Sequence, residues 1–193
     1  LVAASLPGTD PVHKISIISR GRSGGYTMKL PELEKSLHSR AEFIDDIAMT
    51  FGGYAAEMIV FGDVTTGPSN DLQVASMLAR SMVTRYGMSE AIGPVALESE
   101  GRTISGAPGV DGKDFSEKIS SEVDGEIRRI VETGLKTATD VLNDKRNVLD
   151  AIAKRLLEVE VLERDDYEQI LIAHGISIRP RAKMNLSEGV PQV

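Results

Sequence analysis

Residues 65–87, TTGPSNDLQVASMLARSMVTRYG, join a loop rich in glycine and proline to an amphipathic helix. Apolar residues recur through the helix at the spacing of one helical face: Leu72, Ala75, Ala79, Met82, Val83 and Tyr86. Asp71 stands where this helix begins, directly after Ser69 and Asn70, and all three residue types favour helix starts. Only one residue is needed as the cap, so the Asp71 carboxylate can either cap the helix or reach out to bind a ligand.

The composition predicts a globular domain with an aliphatic core. Hydrophobic residues make up 41% of the 193-residue chain, aromatic residues only 4%, and tryptophan is absent. The net charge of −7 argues against a nucleic-acid partner, whose phosphates require a basic surface. The absence of cysteine excludes disulfides, thiolate metal ligands and a thiol nucleophile.

Short alternating stretches predict a small amount of β-structure. Residues 12–19 and 26–30 alternate apolar and polar side chains and flank a glycine-rich loop, which predicts an antiparallel hairpin. Residues 93–97, GPVAL, predict a third short strand.

Helical periodicity covers most of the remaining chain. Residues 1–6, LVAASL, have the pattern of the last turns of a helix that ends at Pro7, and the other predicted helices cover 39–51, 55–61, 69–87, 114–145, 147–157 and 165–175. Asp114 and Glu117 are spaced as a capping box for the longest of them. The predicted fold is therefore mainly α with a small antiparallel β hairpin or sheet, an α+β class. The predicted divisions are a core over 1–98, a mobile loop over 99–113, a helical subdomain over 114–175 and a disordered tail over 176–193.

Taken alone, the residues show no complete catalytic constellation. The histidines, His13, His38 and His174, are far apart in sequence, and no H-E-x-x-H helix is present. A structural role is the favoured interpretation of His13. We therefore assign no catalytic and no cofactor-binding residue from these patterns.

Three blocks of sequence resemble one known family. The run GGYAAEMIVFGDVTTGPSNDLQVASMLARSMVTRYGMSEAIGPVAL, residues 52–97, closely resembles the peptidase domain of FtsH-type ATP-dependent zinc metalloproteases. LVAASLPGTDPVHKISIISRGRSGGYTM, residues 1–28, resembles the segment that follows the zinc helix of that family. LLEVEVLERDDYEQIL, residues 156–171, is similar to its C-terminal helical signature.

The resemblance implies a metal-binding role for Asp71. In this family an aspartate in the Asn-Asp pair after a Thr-Thr-Gly loop holds zinc together with the two histidines of an H-E-x-x-H helix, and that pair is Asn70-Asp71 here. Three protein ligands leave a fourth position open for water. Glu57 lies in another family block, where it can either support a zinc-bound imidazole or face solvent.

The chain also departs from the family pattern, because it contains no H-E-x-x-H. We expect that motif immediately before Leu1, so that the chain is a fragment which lacks both imidazole ligands and the general base and is inactive alone. The resemblance further implies an ATPase domain that binds ATP and magnesium, a membrane anchor outside this chain and a location on the cytoplasmic side of the membrane. It also implies a homo-oligomer of six subunits that degrades unfolded or membrane proteins. The alternative is a non-catalytic pseudoprotease, an oligomerisation module whose helices hold a ring together.

Overall fold

The computed structural model describes residues 1–19, 24–30, 37–98 and 116–178. The predicted loop at 99–113 lies outside these ranges, as does the predicted tail except for residues 176–178. The chain divides into two compact units, Leu1–Thr9 with Leu37–Asp150, and Asp10–Ser36 with Ala151–Val193. In this division the chain leaves the first unit after residue 9 and returns to it at residue 37.

The first unit is a helical bundle around one aliphatic core. Its helices are α1 (Val2–Ser5), α2 (Arg40–Thr50), α3 (Gly52–Phe61), α4 (Ser69–Thr84) and α5 (Glu117–Asp144), and α6 (Arg146–Val159) begins in it. The long helix α5 lies against α2, α3 and α4. The predicted apolar stripes supply the fully buried core, for example Ile47, Ala79, Met82 and Ala138.

Local capping chemistry sets the bounds of α2 and α3. The Ser39 hydroxyl accepts a hydrogen bond from Glu42 N at 3.2 Å, and Glu42 Oε2 accepts one from Ser39 N at 2.7 Å, which completes a capping box. Gly62, with φ +69°, ends α3 in the left-handed conformation that glycine adopts without strain. The start of α2 and the end of α3 agree with the sequence prediction, whereas α3 begins at Gly52, three residues before the predicted start at residue 55.

The start of α5 differs from the predicted capping box. Ser116 is the N-cap, and its hydroxyl accepts a hydrogen bond from Ile119 N at 3.4 Å. Glu117 is already the first helical residue, so it cannot be the third residue after an Asp114 cap, and Asp114 itself lies outside the described residues. The helix therefore begins three residues later than predicted.

The second unit contains a three-stranded antiparallel sheet in the order β2-β1-β3. The strands are β1 (Val12–Ser16), β2 (Tyr26–Lys29) and β3 (Val161–Glu163), and α7 (Arg164–Ala173) packs on β1 and β3. The predicted hairpin of β1 and β2 is confirmed. The mainly helical α+β class is confirmed as well.

The third strand of the sheet is not the one predicted at residues 93–97. That segment forms only an isolated bridge between Ser89 and Gly93. Pro94 lacks an amide hydrogen and Gly93 has φ +86°, and both interrupt a strand ladder. Farther along, the amides of Leu97 and Glu98 donate to Thr84 O at 2.7 and 3.0 Å, so the segment terminates α4 instead.

Candidate functional site

Asp71 is the third residue of α4, and no side chain caps this helix in the described part of the chain. Pro68 occupies the N-cap position, and its carbonyl oxygen accepts a hydrogen bond from Leu72 N at 3.0 Å. Ser69 and Asn70 therefore lie within the first turn, beyond the position from which a side chain reaches the free amides. Neither Ser69 nor Asn70 caps the helix, although both residue types favour helix starts, and Asp71 is not a cap either.

The Asp71 carboxylate is half-buried and forms no hydrogen bond or ion pair with any residue that the structure describes. Its burial raises the pKa of Asp71, because the loss of water penalises the charged form. A cation bound beside the carboxylate would offset that penalty. The side chain is therefore available to a ligand.

Glu57, on α3, holds the loop that leads into α4. Its Oε2 accepts a hydrogen bond from Thr65 N at 2.7 Å, and its Oε1 accepts one from the Thr65 hydroxyl at 3.1 Å. Thr65 Oγ1 accepts in turn from Gly67 N at 3.1 Å, next to the buried Pro68. The sequence did not indicate this pairing, because the two residues are eight positions apart on different elements.

Two side chains, Thr9 and Asp45, hold the end of α1 in place within the first unit. The Thr9 hydroxyl donates to Ala3 O at 2.5 Å, which satisfies a carbonyl at the end of the helix. Asp45, on α2, accepts a hydrogen bond from Gly8 N at 2.8 Å. A Cβ at Gly8 would lie 2.9 Å from Glu42 Cα, so this turn requires glycine. Asp45 was not a predicted site residue, and no local pattern marks it.

Each of the three histidines contacts another described residue. His13 Nε2 lies 3.2 Å from Arg164 Nη1. The His38 ring stacks on Phe43 with ring centroids 5.5 Å apart, and His174 Nδ1 lies 2.8 Å from Ile170 O.

The donor set of the described residues is incomplete for zinc. Within residues 1–19, 24–30, 37–98 and 116–178, no group of three His, Asp or Glu side chains is placed to hold a metal ion. A catalytic zinc site uses three protein ligands. The described residues do not supply such a set of three.

The chain is similar to proteins that are named as ATP-dependent zinc metalloproteases. The chain is 43% identical over 183 residues to the ATP-dependent zinc metalloprotease FtsH of Rhodococcus erythropolis, covering 94% of this chain and 21% of that protein. It is 44% identical over 172 residues to ATP-dependent zinc metalloprotease FtsH 1 of Conexibacter woesei, covering 89% of this chain and 26% of that protein. The ATP-dependent zinc metalloprotease FtsH of Mycobacterium tuberculosis is 38% identical over 190 residues, covering 95% of this chain and 24% of that protein.

Residues 1–170 match Peptidase family M41, and the chain belongs to this family. The chain spans about a quarter of the length of the curated relatives it matches, 21% to 26% for these three. In the part of the chain that the structure describes, no helix has both the length and the apolar character of a membrane span.

Proposed function

We propose that the chain is the peptidase part of an ATP-dependent, membrane-anchored zinc metalloprotease that degrades unfolded or membrane proteins. The names of the relatives support the reaction class. The observation that carries the proposal is the half-buried Asp71 carboxylate, which has no partner among the described residues. In this proposal Asp71 is the third zinc ligand. When bound, zinc activates water for attack on a peptide carbonyl.

The packing of α1 supports this assignment. Val2 of α1 and both Ala75 and Ala79 of α4 belong to one hydrophobic core, so the two helices are held in the same unit. We propose that an H-E-x-x-H helix leads into α1 and supplies the two imidazole ligands and the general base. The Thr9 and Asp45 hydrogen bonds would then fix the end of the helix that carries them.

The remaining parts of the proposal concern the ATPase domain, the assembly, the membrane anchor and the substrate. A complete enzyme would bind ATP and magnesium in an ATPase domain, assemble as a hexamer and be anchored on the cytoplasmic side of a membrane. The small share of each relative that this chain covers leaves room for those parts. We expect an extended protein substrate to add as a strand beside β2, an edge strand of the described sheet.

The test of Asp71 requires a longer form of the protein that includes residues before Leu1. Asp71→Ala should abolish tight zinc binding, measured by metal analysis after dialysis, and chelator-sensitive cleavage of casein. Asp166→Ala is the matched control, because Asp166 is also the third residue of a helix without a side-chain cap and is exposed. Zinc binding and cleavage that survive Asp71→Ala would overturn the assignment.

A second experiment tests the expected inactivity of the 193-residue chain. Incubated with zinc and casein, it should produce no cleavage, because Asp71 alone cannot hold zinc and the sequence contains no H-E-x-x-H glutamate to act as the general base. Cleavage that a chelator blocks would contradict this expectation. If the gene encodes no H-E-x-x-H before Leu1, the alternative of a non-catalytic oligomerisation module replaces the protease proposal.

A further inference from the structure

We propose that Glu57 is a positioning residue that orients Asp71 by fixing the loop between α3 and α4. Both carboxylate oxygens of Glu57 bind Thr65, at 2.7 Å to its amide and 3.1 Å to its hydroxyl. The inference rests on the proposed role of Asp71 as a metal ligand. It assigns to Glu57 a contact with the loop and none with the metal.

Two further hydrogen bonds, joined by the peptide backbone between Thr65 and Gly67, lie between Thr65 and the first turn of α4. Thr65 Oγ1 accepts from Gly67 N at 3.1 Å, and Thr66 O accepts from Ser69 N at 3.2 Å. Ser69 is the first residue of α4, two positions before Asp71. A displacement of Thr65 is therefore transmitted to the turn that carries the candidate ligand.

Little else holds this loop in place. Of residues 61–67, all but Val64 are exposed, so the loop buries little apolar surface. The other side-chain contact in the first half of the loop is local, from Val64 N to Asp63 Oδ1 at 2.8 Å. Hydrogen bonds to a carboxylate are stronger than bonds between neutral groups. The Glu57 contact is accordingly the main tether between the loop and the preceding helix.

Such a tether matters for a metal ligand because the ligand must be held in the binding geometry before the metal arrives. Loss of a residue that orients a ligand typically weakens metal binding by about 10–100-fold. Loss of the ligand itself removes the site. Zinc affinity should therefore fall further in an Asp71 variant than in a Glu57 variant.

Amide hydrogen exchange of the 193-residue chain tests the tether without any metal. In Glu57→Ala, the amides of Thr65 and Gly67 should exchange about tenfold faster or more, while amides of α5 keep their rates. In Glu57→Gln, the exchange rates of Thr65 and Gly67 should lie between those of the wild type and those of Glu57→Ala, because the glutamine amide retains one acceptor oxygen. Glu132→Ala is the control, because Glu132 is an exposed helical glutamate without a partner among the described residues. Unchanged exchange at Thr65 and Gly67 in Glu57→Ala would overturn the inference.

A pair of Thr65 variants covers the case in which Glu57→Ala does not fold. Thr65→Val removes the hydroxyl that links Glu57 to Gly67 but keeps the amide, so only Gly67 exchange should accelerate. Thr65→Ser keeps the hydroxyl and should restore slow exchange. Equal Gly67 rates in the two variants would contradict the proposed link.

Zinc titration of the longer form separates this inference from the proposed function. Glu57→Ala should weaken zinc binding about 10–100-fold, and Glu57→Gln should recover part of the affinity. If Asp71→Ala binds zinc normally, the proposed function fails, whatever the exchange rates show. If Asp71→Ala loses zinc and Glu57→Ala keeps wild-type affinity with a loosened loop, the positioning role of Glu57 fails alone.

Discussion

Replacing Gly134 with alanine probes the closest approach between α2 and α5. A Cβ at position 134 would lie 2.6 Å from Ile47 Cγ2 and 3.3 Å from the backbone nitrogen of Ala48. Ile47 is fully buried and its branched side chain is stiff, and the Ala48 atom belongs to a helix backbone. The added methyl group therefore has to push the two helices apart.

Gly125 provides a matched control in the same helix, because nothing lies within 4 Å of a Cβ built there. Alanine is favoured over glycine in a helix interior by about 1 kcal/mol, so Gly125→Ala should be stabilising by that amount. Gly134→Ala gains the same term but also incurs an overpacking cost of about 1–3 kcal/mol. The propensity term cancels in the comparison, and the free energies of unfolding of the two variants should differ by about 1–3 kcal/mol.

Urea denaturation followed by circular dichroism measures this difference directly. Gly125→Ala should have a higher midpoint than the wild type and Gly134→Ala a lower midpoint than Gly125→Ala, with similar m-values. Equal stability of the two variants would refute the close contact between α2 and α5. It would also weaken the argument that α2, through Asp45, holds the end of α1 in a fixed place.

Other side chains give further predictions. Asp71→Ala should change the free energy of unfolding by less than about 0.5 kcal/mol, because Asp71 makes no capping hydrogen bond. Ser39→Ala should lower it by about 1 kcal/mol, because Ser39 caps α2. Equal losses of stability in urea denaturation would contradict the conclusion that the Asp71 carboxylate has no capping role. The hydrogen bond from Arg129, followed by that from Ser89, lowers the pKa of the buried Glu126. Its stabilising contribution should be complete above the ordinary carboxyl pKa and lost as the pH falls through the lowered value, so the stability gap to Glu126→Gln should shrink below about pH 4; a gap that stays constant down to pH 2 would contradict this. Tyr167→Phe should leave the melting temperature unchanged or raise it, because the buried Tyr167 hydroxyl has no partner among the described residues. A loss of more than about 1 kcal/mol would show that the hydroxyl is hydrogen-bonded.

Sequence patterns could predict those parts of the fold that depend on neighbours in the chain. Helical periodicity located the buried faces of α2, α4 and α5, and Ser39 and Gly62 marked helix ends through capping chemistry that acts within a few residues. Alternation located the hairpin of β1 and β2. Resemblance of the Asn70-Asp71 block to one family singled out Asp71 as the proposed metal ligand, because the resemblance implies a zinc-binding aspartate at this position.

The tertiary structure decided the features that depend on residues far apart in the chain. The short strand β3 exists because it pairs with β1, some 145 positions earlier, and three residues are too few to show a period. Gly134 is required only because Ile47 lies opposite, and Glu126 is buried in α5 only because Ser89 and Arg129 satisfy its oxygens. Glu57 had no assignable partner until α3 and the following loop were brought together. Local patterns arise from short-range sterics and hydrogen bonding, whereas the environment of a side chain is set by packing between elements, which one sequence does not encode in any local spacing.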